Sequence, residues 1–189
     1  LGLTGEETVV EIGAGLGALT GLLAPVARRV IALERDPELA RFLAEELLVE
    51  FPGVEVICQD VLNFDFLGAA REAGQPLAVV GNLPYQITSP LLFGLIRDAA
   101  AIAQAVLMMQ QEVGARLTAS PGAKDYGILS VLLQYHFRVT RLFSLSPGNF
   151  YPPPQVDSVV LRLVPETPAP AALDPNLLRR VVKAAFGHR

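Results

Sequence analysis

Tryptophan is absent from this chain of 189 residues, cysteine occurs once and histidine twice. Cys58 has no partner for an internal disulfide, and with only His136 and His188 it does not make an ordinary zinc site. It stands in an apolar, strand-like run, so a buried and unreactive thiol in a reducing cytoplasm is expected. No apolar run is long enough to cross a bilayer. The most apolar stretch, Leu91 to Met109, is cut by Arg97, Asp98 and Gln104, whereas a span needs about 20 nearly uninterrupted apolar residues. Glu6 and Glu7 come before any basic-then-apolar leader pattern. Positive charge is also scarce: 15 Lys and Arg face 19 Asp and Glu, a formal net charge of −4, which excludes indiscriminate binding to nucleic acid. The chain has no G-x-S-x-G elbow and no Walker loop, and neither histidine has a nucleophile near it in sequence.

What is present is apolar and ordered. The hydrophobic fraction is 51% and the mean hydropathy +0.41, which excludes disorder and fits one domain with a well-buried sheet. Strand-like runs at Thr8 to Ile12, Arg29 to Glu34, Val54 to Gln59, Leu77 to Gly81 and Ala105 to Met109 alternate with helical patterns. Those patterns cover Ala18 to Val26, a segment from Asp36-Pro37-Glu38 to about Glu50, and Thr88 to Arg97. This rhythm predicts an α/β fold, a mostly parallel sheet wrapped on both faces, with the fifth strand apolar throughout because both of its faces are covered. Beyond Gln110 a helix is expected over Ile128 to Tyr135. Arg138 to Leu145 and Val156 to Val164 read as a closing antiparallel pair around a rigid, helix-incompatible loop, Pro147 to Pro154. Pro165 to Pro175 holds four prolines in eleven residues, a linker signature. A helix bearing Arg179, Arg180 and Lys183 follows. The expected division is a catalytic domain over 1–164, then a linker and the start of an incomplete helical domain over 165–189.

Three strand ends carry the candidate cofactor site. Glu11-Ile12-Gly13-Ala14-Gly15-Leu16-Gly17 lies where the first strand turns into the first helix. Glycines there permit a tight turn and let a ligand approach main-chain N–H groups. Ala18 stands where a dinucleotide fingerprint wants its third glycine. The Glu11 charge suits an ammonium or backbone donors better than a pyrophosphate. Glu34 ends the second strand 21 residues after Gly13, placed to accept hydrogen bonds from both hydroxyls of a ribose. Asp60 ends the third strand, with Val61 and Leu62 following; a carboxylate beside apolar side chains suits an adenine. Each has a plainer reading alone: a tight turn, a solvated strand-end acid, a turn-capping aspartate. In this register, at the carboxyl ends where open parallel sheets bind ligands, they favour S-adenosylmethionine over NAD.

The fourth strand ends in Gly81-Asn82-Leu83-Pro84-Tyr85. An adenine amine is a poor nucleophile because its lone pair is delocalised into the ring. Two acceptors aimed at its N–H groups, the Asn82 side-chain oxygen and the Leu83 carbonyl, can free that lone pair. Pro84 fixes the backbone and lacks a competing N–H. Tyr85 offers a face for the base, and such stacking is worth about 1–3 kcal/mol. Enzymes that act on a base must take it out of its stack.

The run from Glu11 to Gly17, Glu34-Arg35-Asp36, Gln59-Asp60-Val61, Gly81 to Tyr85, and Phe150 to Ser158 resembles the ribosomal RNA adenine N6-dimethyltransferases, in particular their bacterial small-subunit branch, over nearly the whole chain. The resemblance implies a Rossmann-like, S-adenosylmethionine-dependent methyltransferase fold. It implies transfer of two methyls to each of two adjacent adenosines in the 3′-terminal hairpin of small-subunit rRNA, during ribosome biogenesis in the cytoplasm. It also implies that Gly13, Glu34, Asp60 and Asn82 bind the cofactor, with Glu11, Gly15, Arg35 and Val61 in the same motifs, and that Asn82, Leu83, Pro84 and Tyr85 form the catalytic segment. Tyr85 and Phe150 match the two stacking aromatics. The expected partner is small-subunit rRNA or the immature subunit, with no membrane and no metal, and a monomer is expected. The family's amino-terminal Gln-Asn-Phe-Leu segment and most of its small helical domain have no counterpart, and Leu1 is not an initiator Met, so a piece of a longer protein is expected. Alternatives are the resistance-type methyltransferase of large-subunit rRNA, a non-catalytic RNA-binding relative, and a small-molecule methyltransferase. Tyr126 to Val131 and the Asn149 to Pro152 loop lean toward the small-subunit type.

Overall fold

A computed structural model describes residues 1–47, 50–84, 86–168 and 170–187. The expectation placed on Tyr85 lies outside the described residues, and so does His188. Seven strands form one sheet: β1 (Thr8–Ile12), β2 (Arg29–Glu34), β3 (Val54–Cys58), β4 (Leu77–Asn82), β5 (Ile102–Gln110), β6 (Phe137–Leu145) and β7 (Ser158–Pro165). Their order is β3-β2-β1-β4-β5-β7-β6. β1 to β5 run parallel, and β7 pairs antiparallel with both β5 and β6. The predicted closing pair is therefore present, with β7 beginning at Ser158 rather than Val156. The strand order reverses between β1 and β4, which opens a crevice at their carboxyl ends.

Helices cover the two faces unequally. α3 (Phe66–Ala73), α4 (Thr88–Arg97), α5 (Gln111–Leu117) and α6 (Ile128–His136) lie on one face. There Leu91, Leu95, Leu117 and Leu133 pack with Val10, Leu33, Val79, Leu107 and Leu161 in one continuous core. α1 (Thr20–Leu23) and α2 (Pro37–Leu47) lie on the other face, where Leu23 packs on Val9, Val30 and Val80. The alternation of strand side chains explains this division: odd and even positions of each strand feed opposite cores. A last helix, α7 (Pro175–Phe186), is started by Asp174, whose carboxylate accepts from the Asn176 and Leu177 N–H groups. The N–H of Ala172 in the proline-rich segment donates to the Tyr135 hydroxyl at 2.6 Å. The Arg179 guanidinium lies 5.5 Å from the centre of the Phe93 ring, so α7 packs back onto the sheet domain.

Several expectations are corrected. The first helix is four residues long, not nine, and Pro25 behind it has no N–H to carry on the hydrogen-bond ladder. Cys58 is exposed: β3 is an edge strand, and its last residue has a neighbouring strand on one side only. β5 is fully buried only at alternate residues. Its other face carries half-buried Val106 and Met108, which border an apolar cavity with Leu19, Leu23 and Phe143. Among the described residues α1 meets this cavity through Leu23, and no residue of α2 lines it. The Pro147 loop holds a short 3-10 turn, Pro147–Asn149, since proline is tolerated at a first helical position. Two helices, α3 and α5, had no assignment from the sequence. Among the described residues no helix is long and apolar enough to cross a membrane, and no group of three or more His, Cys, Asp or Glu is placed to hold a metal.

Candidate active site

The glycine turn is tied to the strand beside it. Gly13, Gly15 and Gly17 all have positive φ, at 69°, 58° and 82°, a region where a side chain is strained. The turn's donors point back into the protein. The Gly13 and Ala14 N–H groups both donate to the Leu33 carbonyl, at 2.9 and 3.1 Å. The Gly15 N–H donates to Glu34 Oε2 at 2.9 Å. With α1 only one turn long, no helix dipole of consequence points at a ligand. The turn clamps the end of β2.

The clamp fixes Glu34. Its other oxygen, Oε1, accepts from the Asp36 N–H at 2.9 Å, so both oxygens are held by backbone while each keeps a second lone pair. Asp36 in turn caps α2, accepting from the Glu38 N–H at 2.8 Å. A carboxylate so fixed is a two-point acceptor with little entropy left to lose. Asp60 plays two parts. Its Oδ1 accepts from the Leu62 N–H at 2.9 Å, which starts the 3-10 turn Val61–Asn63. Its residue also faces the same space as Glu34.

That space is a cavity of about 530 Å³ whose walls include Gly13, Glu34, Arg35, Asp60, Val61 and Asn82. Six residues selected on their strand ends thus converge. Ile12, Leu33 and Ile87 supply apolar surface, and Pro37, Gln59 and Gln86 complete the wall. Ile12, Pro37 and Gln59 stand inside motifs read from the sequence without a site role of their own, while Leu33, Gln86 and Ile87 stand in none. Gln86 and Ile87 directly follow the Asn82 to Tyr85 segment, which was the available signal. Glu11 and Gly15 do not line the cavity. Glu11 is 2% exposed and accepts a 2.6 Å hydrogen bond from the Thr20 hydroxyl. Desolvation by burial pushes its carboxyl up to about 7, eased by that hydroxyl. Thr20 was not anticipated from the sequence.

Asn82 joins this cavity to a second one. The second space, about 330 Å³, is bordered by Asn82, Leu83, Pro84, Met109, Phe150 and Ser158, together with Tyr151, Pro152 and Pro154. Asn82 and Pro84 belong to both walls. A Cβ on Gly81 would stand 2.9 Å from the Ile12 carbonyl oxygen, so only glycine lets β4 run this close to β1 and deliver Asn82 to the crevice. The Leu83 N–H donates to the Met108 carbonyl at 2.9 Å. The Pro84 carbonyl is held by the Ile87 N–H at 3.2 Å and the Thr88 hydroxyl at 3.1 Å. The backbone on either side of the Leu83 carbonyl is therefore fixed. Among the described residues, neither that carbonyl nor the Asn82 side chain has a hydrogen-bond partner. Phe150 is half-buried at the second cavity's edge.

A parallel sheet with a switch point, carboxylates closing β2 and β3, and an open Asn-Leu-Pro segment closing β4 define a Rossmann-like fold of the S-adenosylmethionine-dependent methyltransferase type, with an antiparallel closing hairpin. The sequence matches the ribosomal RNA adenine dimethylase family over residues 1–189, and the chain belongs to that family. It is 44% identical over 191 aligned residues to ribosomal RNA small subunit methyltransferase A of Myxococcus xanthus, covering 100% of this chain and 65% of that relative. A dimethyladenosine transferase of Plasmodium falciparum superposes with a TM-score of 0.85 at 29% identity, covering 98% of this chain and 65% of that one. The 23S rRNA methyltransferase ErmE gives 0.79 at 30% identity, covering 98% and 72%. The chain thus spans a little under two thirds of the length of the curated relative it matches.

Proposed function

We propose that this chain binds S-adenosylmethionine and carries the catalytic site for N6,N6-dimethylation of two adjacent adenosines in the 3′-terminal hairpin of small-subunit rRNA. The observation that carries the reading is that Asn82 and Pro84 border two cavities at once. One has the acceptors for a nucleoside cofactor. The other has room for an extruded base.

The residues of the first cavity fit the cofactor. Glu34 presents fixed acceptors for a ribose diol, Asp60 an acceptor for an adenine amine, and Val61, Ile12 and Ile87 the apolar cover. When bound, S-adenosylmethionine supplies a methyl on a sulfonium, with a neutral thioether as leaving group. The protein's share is then positioning. The Asn82 side-chain oxygen and the Leu83 carbonyl accept from the two N6 hydrogens of a base in the second cavity. They hold the nitrogen toward tetrahedral geometry, with its lone pair directed at the first cavity. Neither group is a base, so the displaced proton leaves through open solvent. Phe150 covers the base from the proline loop, and Tyr85 is proposed as the opposite face.

The membership in the adenine dimethylase family and the likeness to a small-subunit rRNA methyltransferase support this substrate. The test is mass spectrometry of immature small subunits incubated with the protein and S-adenosylmethionine. Adjacent N6,N6-dimethyladenosines near the 3′ end are expected, and none with Asn82→Ala, whose melting temperature should match that of the unmodified protein. Dimethyladenosine in large-subunit RNA alone would replace this reading with the resistance-type activity. No N6-methylated adenosine in either RNA would end it.

A further inference from the structure

The second cavity contains a polar group to which neither the sequence nor the proposed chemistry assigned a part. Three of its lining side chains carry polar atoms: Asn82, Tyr151 and Ser158. Tyr151 is fully exposed and belongs to the rim. Ser158 is the reverse, a residue 7% exposed whose hydroxyl has no hydrogen-bond partner among the described residues. Buried hydroxyls are normally paired, and an unpaired one calls for a physical reason. The reason is not complete enclosure. Among the described residues Gln104 Oε1 is the sole fully buried side-chain polar atom left without a partner. The Ser158 oxygen therefore retains access, and the space this residue borders is the cavity beside Asn82 and Leu83.

Its position is rigid. Ser158 opens β7 and is paired with Gln110 of β5 and Leu145 of β6. The chain entering it is fixed by the Gln111 N–H, which donates to the Asp157 carbonyl at 2.9 Å. A polar group fixed on a strand in a pocket wall is the arrangement that sets ligand orientation and specificity.

We propose that the Ser158 hydroxyl reads the extruded adenine by donating a hydrogen bond to one of the two ring nitrogens on either side of the amine, N1 or N7. This rests on the methyl-transfer reading above and adds a third contact to the two that grip the amine. Three contacts fix a planar base in its plane. Guanine would present an oxygen to the Asn82 and Leu83 acceptors, and where N1 is the nitrogen read it would also present an N–H there. A site built to hydrogen-bond one group rejects the analogue that lacks it.

The experiment measures kcat/KM for methyl transfer to RNA carrying adenosine, 1-deazaadenosine or 7-deazaadenosine at the target, with the unmodified protein and with Ser158→Ala. The unmodified protein is expected to lose about tenfold on one of the two deaza substrates, the usual scale for one hydrogen bond. Ser158→Ala should lose about tenfold on adenosine and nothing further on that same deaza substrate, with cofactor affinity unchanged. Equal turnover of all three RNAs by the unmodified protein would overturn the inference, and this arm needs no variant to fold. So would losses that multiply when variant and analogue are combined. Both results leave methyl transfer to adenosine intact. Absence of any transfer to adenosine RNA would instead remove the parent reading and this inference with it.

Discussion

Burial pushes the Glu11 carboxyl from its ordinary 4.5 up to about 7, against the pull of the Thr20 hydroxyl. A carboxyl whose folded pKa lies above its unfolded one gives stability that is complete below about 4.5. That contribution is lost as pH rises through about 7, because the unfolded chain ionises first. Over that window the penalty reaches about 3 kcal/mol at most. Glu11→Gln keeps an acceptor for Thr20 and cannot ionise. It is expected to raise the urea midpoint at pH 8 and leave that at pH 4.5 nearly unchanged; the same pH dependence in both proteins would show that Glu11 is not the group responsible. Glu34 gives a different test. Glu34→Gln removes one of two acceptors and Glu34→Ala both, so calorimetric affinity for S-adenosylmethionine should fall in that order, by about 1–3 kcal/mol for the alanine variant. Unchanged affinity for both would place the ribose elsewhere. The strand-end acids were legible because their roles depend on register along the chain. The exposure of Cys58, the partner of Glu11 and the free hydroxyl of Ser158 were not, because each depends on which strands become neighbours.

At the scale of elements, β1, β3 and β4 were readable because glycine or proline stands directly beside an end of each, at Gly13, Gly53 and Pro76. α3 carried signals of the same quality that were not weighed: Asp65 accepts from the Gly68 N–H at 2.8 Å, and Gly74 closes the helix at φ 70°. α5 is harder, since it starts at the residue after β5 ends and offers no turn residue between them. What holds α5 in place is contact. A Cβ on Gly114 would collide with Val159 Cγ1 of β7, so the helix lies directly on the strand that leads out of Ser158. Gly114→Ala raises helix propensity by about 1 kcal/mol, and in an exposed helix it would stabilise. Here overpacking should win, for a net loss of about 1–3 kcal/mol. Denaturant unfolding decides the sign. A stabilised variant would mean that α5 can slide away from β7 without cost.

For the molecule as a whole, the boundary that matters is between the parallel half and the β5-β7-β6 edge, because each proposed cavity leans on a different half. The cofactor cavity is walled by the ends of β1 to β4, the base cavity by β4, β5, β7 and the proline loop. The two halves nevertheless share one core: Ile12 and Leu33 belong to the same packed cluster as Leu107, Leu161 and Phe137. A ligand seated against β1 to β4 alone should therefore stabilise the closing hairpin as well. At a concentration 100 times its Kd, S-adenosylmethionine adds about 2.7 kcal/mol, which for a domain of this size is a rise of about 5–10 °C in Tm. The expected result is one transition that moves intact, with far-UV circular dichroism and tyrosine absorbance shifting together. A far-UV transition that splits, one part moving with the cofactor and one not, would show that the hairpin and its base cavity form a unit of their own. Asn82 would then stand at a joint between two bodies rather than inside one, and the fixed geometry asked of it would be lost.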